Sequence, residues 1–308
     1  MKIIFFGTPD FAVPILRKLA NSNYEIVAVV TRPDKPAGRK QEPLPSPVKV
    51  LAKKLKLKVF QPKVLEIGNW KLETPSADLF IVASYGKIIP KEILDLPKFG
   101  ALNTHPSLLP KYRGPSPIQS TILNGDTETG VTIIKLDAEL DHGEIVASEK
   151  LQMRSDRVTY GQLHDELAEI GAKLLVEVLP KYIKGEINLA TQDHSKTTFT
   201  KIITKEDARI NWQKSAEEID RLVRAYEAWP IAWTTLEGKR LKIYDAKPVN
   251  EKSGLHQPGQ IISAAKSLIL KCGAGALQIN ELQLESKKKL KAAEFINGHH
   301  GLQDKILI

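Results

Sequence analysis

Alternating short apolar runs and helical periodicities predict an α/β fold for the first two-thirds of this 308-residue chain, built on an open, mostly parallel, Rossmann-like sheet. A second observation concerns the last third. There the pattern changes to short strands separated by glycine turns, which predicts a small OB-like β-barrel. Between the two lies a polar stretch containing HSKTTFT that reads as a connector. The expected organisation is an α/β domain over 1–189, a linker over 190–204 and a β-barrel over 205–308.

The strands of the first part are the apolar runs at 3–6, 26–31, 79–83, 101–104 and 131–136, short and β-branched as buried parallel strands are. Helical segments at 10–20 and 46–57 alternate with them. In the latter, Val48, Leu51, Ala52 and Leu55 share one face. A long helix over 159–184 closes this part, with Leu163, Leu167, Ile170, Leu174 and Leu175 as its buried stripe. Beyond the connector, Ser215 and Glu218 have capping-box spacing, and Ile219, Leu222, Val223 and Tyr226 make one helical face. Strands follow at 231–236, 241–246, 259–263, 268–272 and 277–284, with a turn at Gly238.

Composition narrows the function. Lys and Arg number 45 against 36 Asp and Glu, a net charge of +9 that points to a polyanionic partner. Residues 1–189 hold 26 basic and 22 acidic side chains, and the remainder 19 and 14, so the smaller part is the more basic per residue. Cys272 is the single cysteine, which excludes an intramolecular disulfide and fits a reducing, cytoplasmic setting. The apolar run in MKIIFFGTPDF is shorter than the ~7–15-residue core of a signal peptide, and no run reaches the ~18 residues of a membrane span. A dinucleotide fold would need G-x-G-x-x-G after the first strand; GTPDFA stands there instead. GAGALQ at 273–278 lies in the β-rich part and reads as a hairpin turn. There is no phosphate-binding G-x-x-x-x-G-K-[ST], no H-x-x-x-H pair and no G-x-S-x-G elbow. Neither a nucleotide cofactor nor a metal is expected.

The chemistry concentrates in ALNTHPSLLPKYRG, residues 101–114. Asn103 and His105 are two apart on a strand, so both side chains point the same way, roughly 6.6–6.8 Å apart. Pro106 keeps His105 extended. Polar groups at a carboxyl strand end stand where α/β folds bind ligands. The plainer reading is an asparagine that caps the next turn beside a satisfied histidine. The following strand runs into a loop holding Asp137, Glu139 and Asp141, read as lying at the same sheet edge. Any of the three could orient His105, and spacing does not choose among them; a solvated acidic loop is the other reading. The loop after the second strand, TRPDKPAGRK, carries Arg32, Lys35, Arg39 and Lys40 to that edge.

Taken together, GTPDFA, TRPDKPAGRK with PSPVK, SYGKIIP at 84–90, NTHPSLLPKYRG, the D-x-x-x-D-x-G loop, KEDARINW and RAYEAWP resemble the methionyl-tRNA formyltransferase family over nearly the whole chain. The resemblance implies transfer of a formyl group from 10-formyltetrahydrofolate to the α-amino group of methionyl-initiator tRNA, for translation initiation, by a cytoplasmic monomer that needs no metal. By motif position, Asn103, His105 and Asp141 would be catalytic. Asn103 and a protonated His105 would donate to the oxygen on which charge builds, and Asp141 would orient His105. Tyr85, Gly86 and Ile88 with Asp137 and Leu140 would wall the pterin, and Ser107, Leu108, Leu109 and Pro110 would adjoin the folate. Arg39 and Lys40 would contact the acceptor stem, as would Lys287, Lys288 and Lys289 from the barrel. One departure stands out: the family loop is D-x-G-x-D-x-G, and Glu139 replaces its first glycine. If that position needs positive φ, Glu139 must bear the cost. A formyltransferase acting on another amine, such as an amino-sugar nucleotide, would share Asn103, His105 and Asp141; the Arg39 loop is what separates it from a tRNA enzyme.

Overall fold

A computed structural model describes residues 1–37, 42–153, 155, 157–251 and 256–308. They form two compact units. The first comprises Met1–Pro117, Glu128–Gln152 and His164–Lys201, and the second Ile118–Thr127, Met153–Leu163 and Ile202–Ile308. Most of the polar stretch expected to be a linker therefore packs within the first unit, as far as Lys201.

In chain order the first part contains β1 (Lys2–Gly7), α1 (Ala12–Ala20), β2 (Glu25–Val30), β3 (Lys35–Ala37), β4 (Glu42–Leu44), α2 (Pro47–Lys54), β5 (Val59–Phe60), α3 (Ile67–Glu73), β6 (Leu79–Ala83), α4 (Lys91–Leu94) and β7 (Ala101–His105). Next come α5 (Pro117–Asn124), β8 (Glu128–Lys135), β9 (Ile145–Gln152) and α6 (Tyr160–Ile183). Seven strands make one sheet in the order β5-β2-β1-β6-β7-β8-β9. It is parallel from β5 through β7, while β8 and β9 run antiparallel to their neighbours. Ile3, Ile4, Phe5 and Phe6 of β1 are wholly buried, as a central parallel strand covered on both faces requires. Ser46 caps α2 by accepting from the Lys49 amide at 3.1 Å, and Pro47 opens the helix where a missing N–H costs nothing.

Two features position the site. Thr104, between Asn103 and His105, points to the opposite face, where α6 lies so close that a Cβ on Gly171 would meet the Thr104 methyl at 2.6 Å. Asn103 and His105 are thereby left on the other face. The second feature corrects the sequence reading. Because β8 is antiparallel to β7, pairing Leu102 with Lys135 and His105 with Thr132, it delivers the 136–144 loop to the edge where β7 begins. His105 stands where β7 ends, so the acidic loop leaves the sheet at the opposite edge and reaches the histidine only by folding back.

The second unit contains α7 (Ala216–Ala225), β10 (Trp233–Leu236), β11 (Lys239–Val249), β12 (Ile261–Ala264), β13 (Leu268–Lys271), β14 (Ala276–Leu284), β15 (Leu290–Lys291) and α8 (Ala292–Asn297). Its strands form a curled antiparallel sheet ordered β10-β11-β14-β13-β12, a half-barrel, with β15 paired to β14. Ile219 and Val223 of α7 pack with Leu241, Ile243, Leu270, Leu277, Leu282 and Phe295 in its core. The C-terminal backbone bonds to both sheet edges. Ile308 exchanges hydrogen bonds with Thr235 of β10, and Leu307 donates to Gly259 beside β12, each at 2.8–3.0 Å.

Candidate active site

His105 is 4 % exposed, and both of its ring nitrogens face oxygen. Nε2 lies 2.9 Å from the Tyr112 carbonyl, which only accepts, so Nε2 carries a proton. Nδ1 lies 3.6 Å from Asp141 Oδ2, just beyond a direct hydrogen bond. Asn103 Nδ2 donates to Asp141 Oδ1 at 3.3 Å, and the Gly114 amide donates to Oδ2 at 2.8 Å. The carboxylate of Asp141, 8 % exposed, is the hub on which the other two side chains converge.

Asp141 reaches this position because the 136–144 loop folds back over the sheet face. At its turning point Asp141 adopts φ 47°, a left-handed conformation that aspartate tolerates better than most residues. Glu139 is not among the positive-φ residues; its amide bonds to Asp137 Oδ1 at 2.9 Å, so the replaced glycine carries no left-handed strain at that position. Close approach falls on Gly143 instead. A Cβ there would lie 1.8 Å from the Lys135 carbonyl oxygen.

Sequence reasoning missed the groups behind this loop. Gln192, 3 % exposed, donates to the carbonyls of Asp141 at 2.9 Å and Gly143 at 2.7 Å. Its own oxygen accepts from Arg113 Nε at 3.1 Å and Nη2 at 2.7 Å. Arg113, 4 % exposed, also donates to His194 Nδ1 at 2.8 Å. The His194 ring stacks on His142 at 4.3 Å, and His142 Nδ1 donates to Asp137 Oδ2 at 2.6 Å. Residues 198–201 then run along the loop after β7: the Arg113 amide donates to the Thr198 carbonyl at 2.9 Å and the Thr200 amide to the Arg113 carbonyl at 2.8 Å. Arg113 lies inside the NTHPSLLPKYRG motif, the one signal in the sequence that marks its position. Gln192 sits in a polar stretch, 51 residues from Asp141, with nothing local to mark it.

The expected folate positions are differently disposed. Ile88 and Leu140 are apolar yet 86 % and 57 % exposed. Gly86 takes φ +77°. Tyr85 is different: its ring packs edge-on to Phe6 at 5.4 Å within the core, and burial pushes its hydroxyl up to about 12. Only the backbone of Tyr85 can serve a wall, and its carbonyl already accepts from Thr8 Oγ1 at 2.9 Å. Ser107 and Leu109 are buried and Leu108 and Pro110 half-buried. Thr132 Oγ1 fixes this segment, donating to the Ser107 carbonyl at 2.7 Å and accepting from the Leu109 amide at 3.1 Å. Asp137 is exposed and engaged with His142. Among the described residues no group of three or more His, Cys, Asp or Glu side chains is placed to hold a metal ion.

Of the expected tRNA contacts, Arg39 and Lys40 lie outside the described residues, between β3 and β4. Lys287 and Lys288 are exposed. Lys289 pairs with Glu281 at 2.7 Å and lies over the Tyr244 ring at 5.0 Å, and Glu281 holds its ammonium above the usual lysine range.

An open α/β sheet carrying Asn103 and His105 around the Asp141 carboxylate, in a chain that continues into a curled antiparallel sheet, defines a two-unit protein with a buried polar site. The chain belongs to the formyl transferase family: residues 1–179 match the formyl transferase model and residues 202–300 the formyl transferase, C-terminal domain model. Within that family, its relatives include the methionyl-tRNA formyltransferase of Methylococcus capsulatus, 43 % identical over 301 residues and 97 % of each chain. The methionyl-tRNA formyltransferase of Acetivibrio thermocellus is 39 % identical, again over 97 % of each chain. Solved structures share the fold at lower identity. The methionyl-tRNA formyltransferase from Clostridium thermocellum aligns with a TM-score of 0.56 at 20 % identity, over 82 % of this chain and 95 % of that one. The N-formyltransferase from Helicobacter canadensis, in complex with folinic acid and dTDP-3-aminofucose, aligns with a TM-score of 0.67 at 20 % identity, over 91 % and 98 %.

Proposed function

We propose that this chain formylates the α-amino group of methionyl-initiator tRNA, taking the formyl group from 10-formyltetrahydrofolate. The observation that carries the reading is the convergence of Asn103, His105 and the Gly114 amide on Asp141, in a chain 43 % identical over 97 % of its length to a methionyl-tRNA formyltransferase. We assign catalysis to residues 1–189 and tRNA binding to 205–308 together with the Arg39 loop.

Ile88 and Leu140, both exposed and apolar, are assigned to the pterin, with Gly86 and Ser107–Pro110 as the further folate contacts. The donor supplies an electrophilic formyl carbon, whose bond to the folate nitrogen is exchanged for one to the acceptor amine. The chain's own groups do the rest. Asn103 Nδ2 has two protons and spends one on Asp141, so the other is available to an oxygen that gains charge. His105 Nδ1, when protonated, supplies a second donor from the same strand face. Donors fixed by buried neighbours need no reorganisation as charge develops, and losing one typically costs ~10²–10³ in rate. Asp141 holds Asn103, the Tyr112 carbonyl holds His105, and the Asp141 carboxylate is assigned as the base for the proton released by the amine. Arg39, Lys40, Lys287 and Lys288 are the proposed phosphate contacts; Lys289 is engaged by Glu281 and would add little unless that bond were exchanged.

The test is formylation of charged initiator tRNA with 10-formyltetrahydrofolate. Asn103→Ala, His105→Ala and Asp141→Ala should each lower turnover by about 10²–10³ with tRNA affinity nearly unchanged. Normal turnover in any one removes that residue from the mechanism. A wild-type protein that formylates a sugar amine and leaves methionyl-tRNA untouched would overturn the reading.

A further inference from the structure

We infer that Gln192 is a positioning residue for the formyl-transfer site, holding Asp141 in its left-handed conformation so that the carboxylate, not the backbone, faces Asn103 and His105. The inference rests on the function proposed above.

The argument starts from the cost of the loop. A non-glycine residue at φ 47° relaxes toward the right-handed or extended region unless its peptide groups are tied. Rotation of that backbone would swing the Asp141 carboxylate away from Asn103 and the Gly114 amide. The two carbonyls that define the turn, of Asp141 and Gly143, both accept from the single amide nitrogen of Gln192, at 2.9 and 2.7 Å. One planar group thus clamps both sides of the strained residue.

The clamp has its own support. The Gln192 oxygen accepts two bonds from Arg113, which fixes the amide orientation: the oxygen must face the guanidinium and the nitrogen the loop. Arg113 follows Tyr112, whose carbonyl holds His105 Nε2, and precedes Gly114, whose amide holds Asp141 Oδ2. The segment from Tyr112 to Gly114 therefore touches His105, Gln192 and Asp141 in three successive residues. On the far side, Arg113 bonds His194, which stacks on His142, the residue after Asp141. The Asp141–His142 pair is gripped through its backbone by Gln192 and through the His142 ring by His194 and Asp137. None of these groups need touch a substrate; they set where Asp141 points.

The test uses the whole chain and four variants: Gln192→Ala, Gln192→Glu, Asp141→Ala and the Gln192→Ala/Asp141→Ala double. Gln192→Ala removes the clamp. Gln192→Glu keeps the shape and the Arg113 contact but sets a carboxylate against two carbonyls, so it separates loss of the clamp from loss of volume. A misplaced catalytic group typically costs ~10²-fold, so each should lower kcat by about that factor with KM for tRNA little changed. Because Gln192 acts only through Asp141, adding Gln192→Ala to Asp141→Ala should cost little more than Asp141→Ala alone. Full additivity, or wild-type kcat in both single variants, overturns the inference. If Asp141→Ala itself keeps wild-type turnover, the site assignment fails instead. A crystal structure of Gln192→Ala gives a readout free of activity: the Asp141 carboxylate should leave Asn103, and its persistence there would end the argument even if the variant were slow.

Discussion

Asp141 and Gly143 carry opposite burdens two residues apart. Asp141 supplies the left-handed turn, and Gly143 supplies the absence of a side chain where the loop passes the Lys135 carbonyl. Gly143→Ala would put a Cβ 1.8 Å from that oxygen, so the backbone must retreat and take the Gly143 carbonyl off Gln192. The expected result is a loss of turnover of about 10²-fold in a folded protein, read by steady-state kinetics beside a melting curve. Gly68, within α3, is the control, since a Cβ there meets nothing within 4 Å. Gly68→Ala should leave turnover intact. Equal kinetic losses at both positions would show that Gly143 has no special role. At this scale legibility followed sequence distance. Asn103 and His105 share one strand face, a fact fixed by the two-residue period alone. Spacing leaves Asp141 one of three candidate carboxylates, the family resemblance selects it, and the fold brings it to Asn103. Gln192 and Arg113 could not be paired from sequence, because their bond spans 79 residues and no periodicity links them.

At the scale of elements, α7 shows the clearest correspondence between sequence and structure. Ser215 Oγ accepts from the Glu218 amide at 3.1 Å, and Glu218 Oε2 accepts from the Ser215 amide at 3.0 Å, closing the capping box that S-x-x-E announces. Ser215→Ala should cost about 1 kcal/mol in urea unfolding followed by far-UV circular dichroism. The pH dependence has a definite sign. The Ser215 amide, then Lys214, holds the Glu218 carboxyl down to about 2. A depressed folded value means that the contribution is present above the unfolded carboxylate range near ~4.3 and fades as pH falls toward about 2. The stability gap between wild type and Glu218→Gln should therefore narrow on acidification through that window; a gap that widened would contradict the assignment. Elements governed by local periodicity or capping were legible in this way. The direction of β8 was not. Apolar strands read alike whichever way they run, and the antiparallel turn after α5 moved the acidic loop to the other edge of the sheet. Nor was the role of 190–201 visible, since polarity marks solvent-facing loops and buried hydrogen-bonding segments equally.

For the whole molecule, the surplus of +9 acts on a polyanion through counterion release, not through any single contact. Each phosphate neutralised on duplex RNA or DNA steepens the fall of log affinity with log salt, by roughly 0.9 on B-form DNA. The structure makes the three neighbouring lysines of the second unit unequal. Lys287 and Lys288 are exposed, whereas the Lys289 ammonium already bonds Glu281 and lies over Tyr244. A phosphate that recruited Lys289 would have to displace Glu281, so the net charge gained would be small. Binding of initiator tRNA across a salt series should weaken steeply for the wild type. Lys287→Ala and Lys288→Ala should each flatten the slope by up to about one counterion, while Lys289→Ala leaves it nearly unchanged. In a Glu281→Gln background Lys289 is released, and Lys289→Ala should then flatten the slope as its neighbours do. A slope insensitive to all three lysines would move the phosphate contacts to other basic residues, the Arg39 loop first among them.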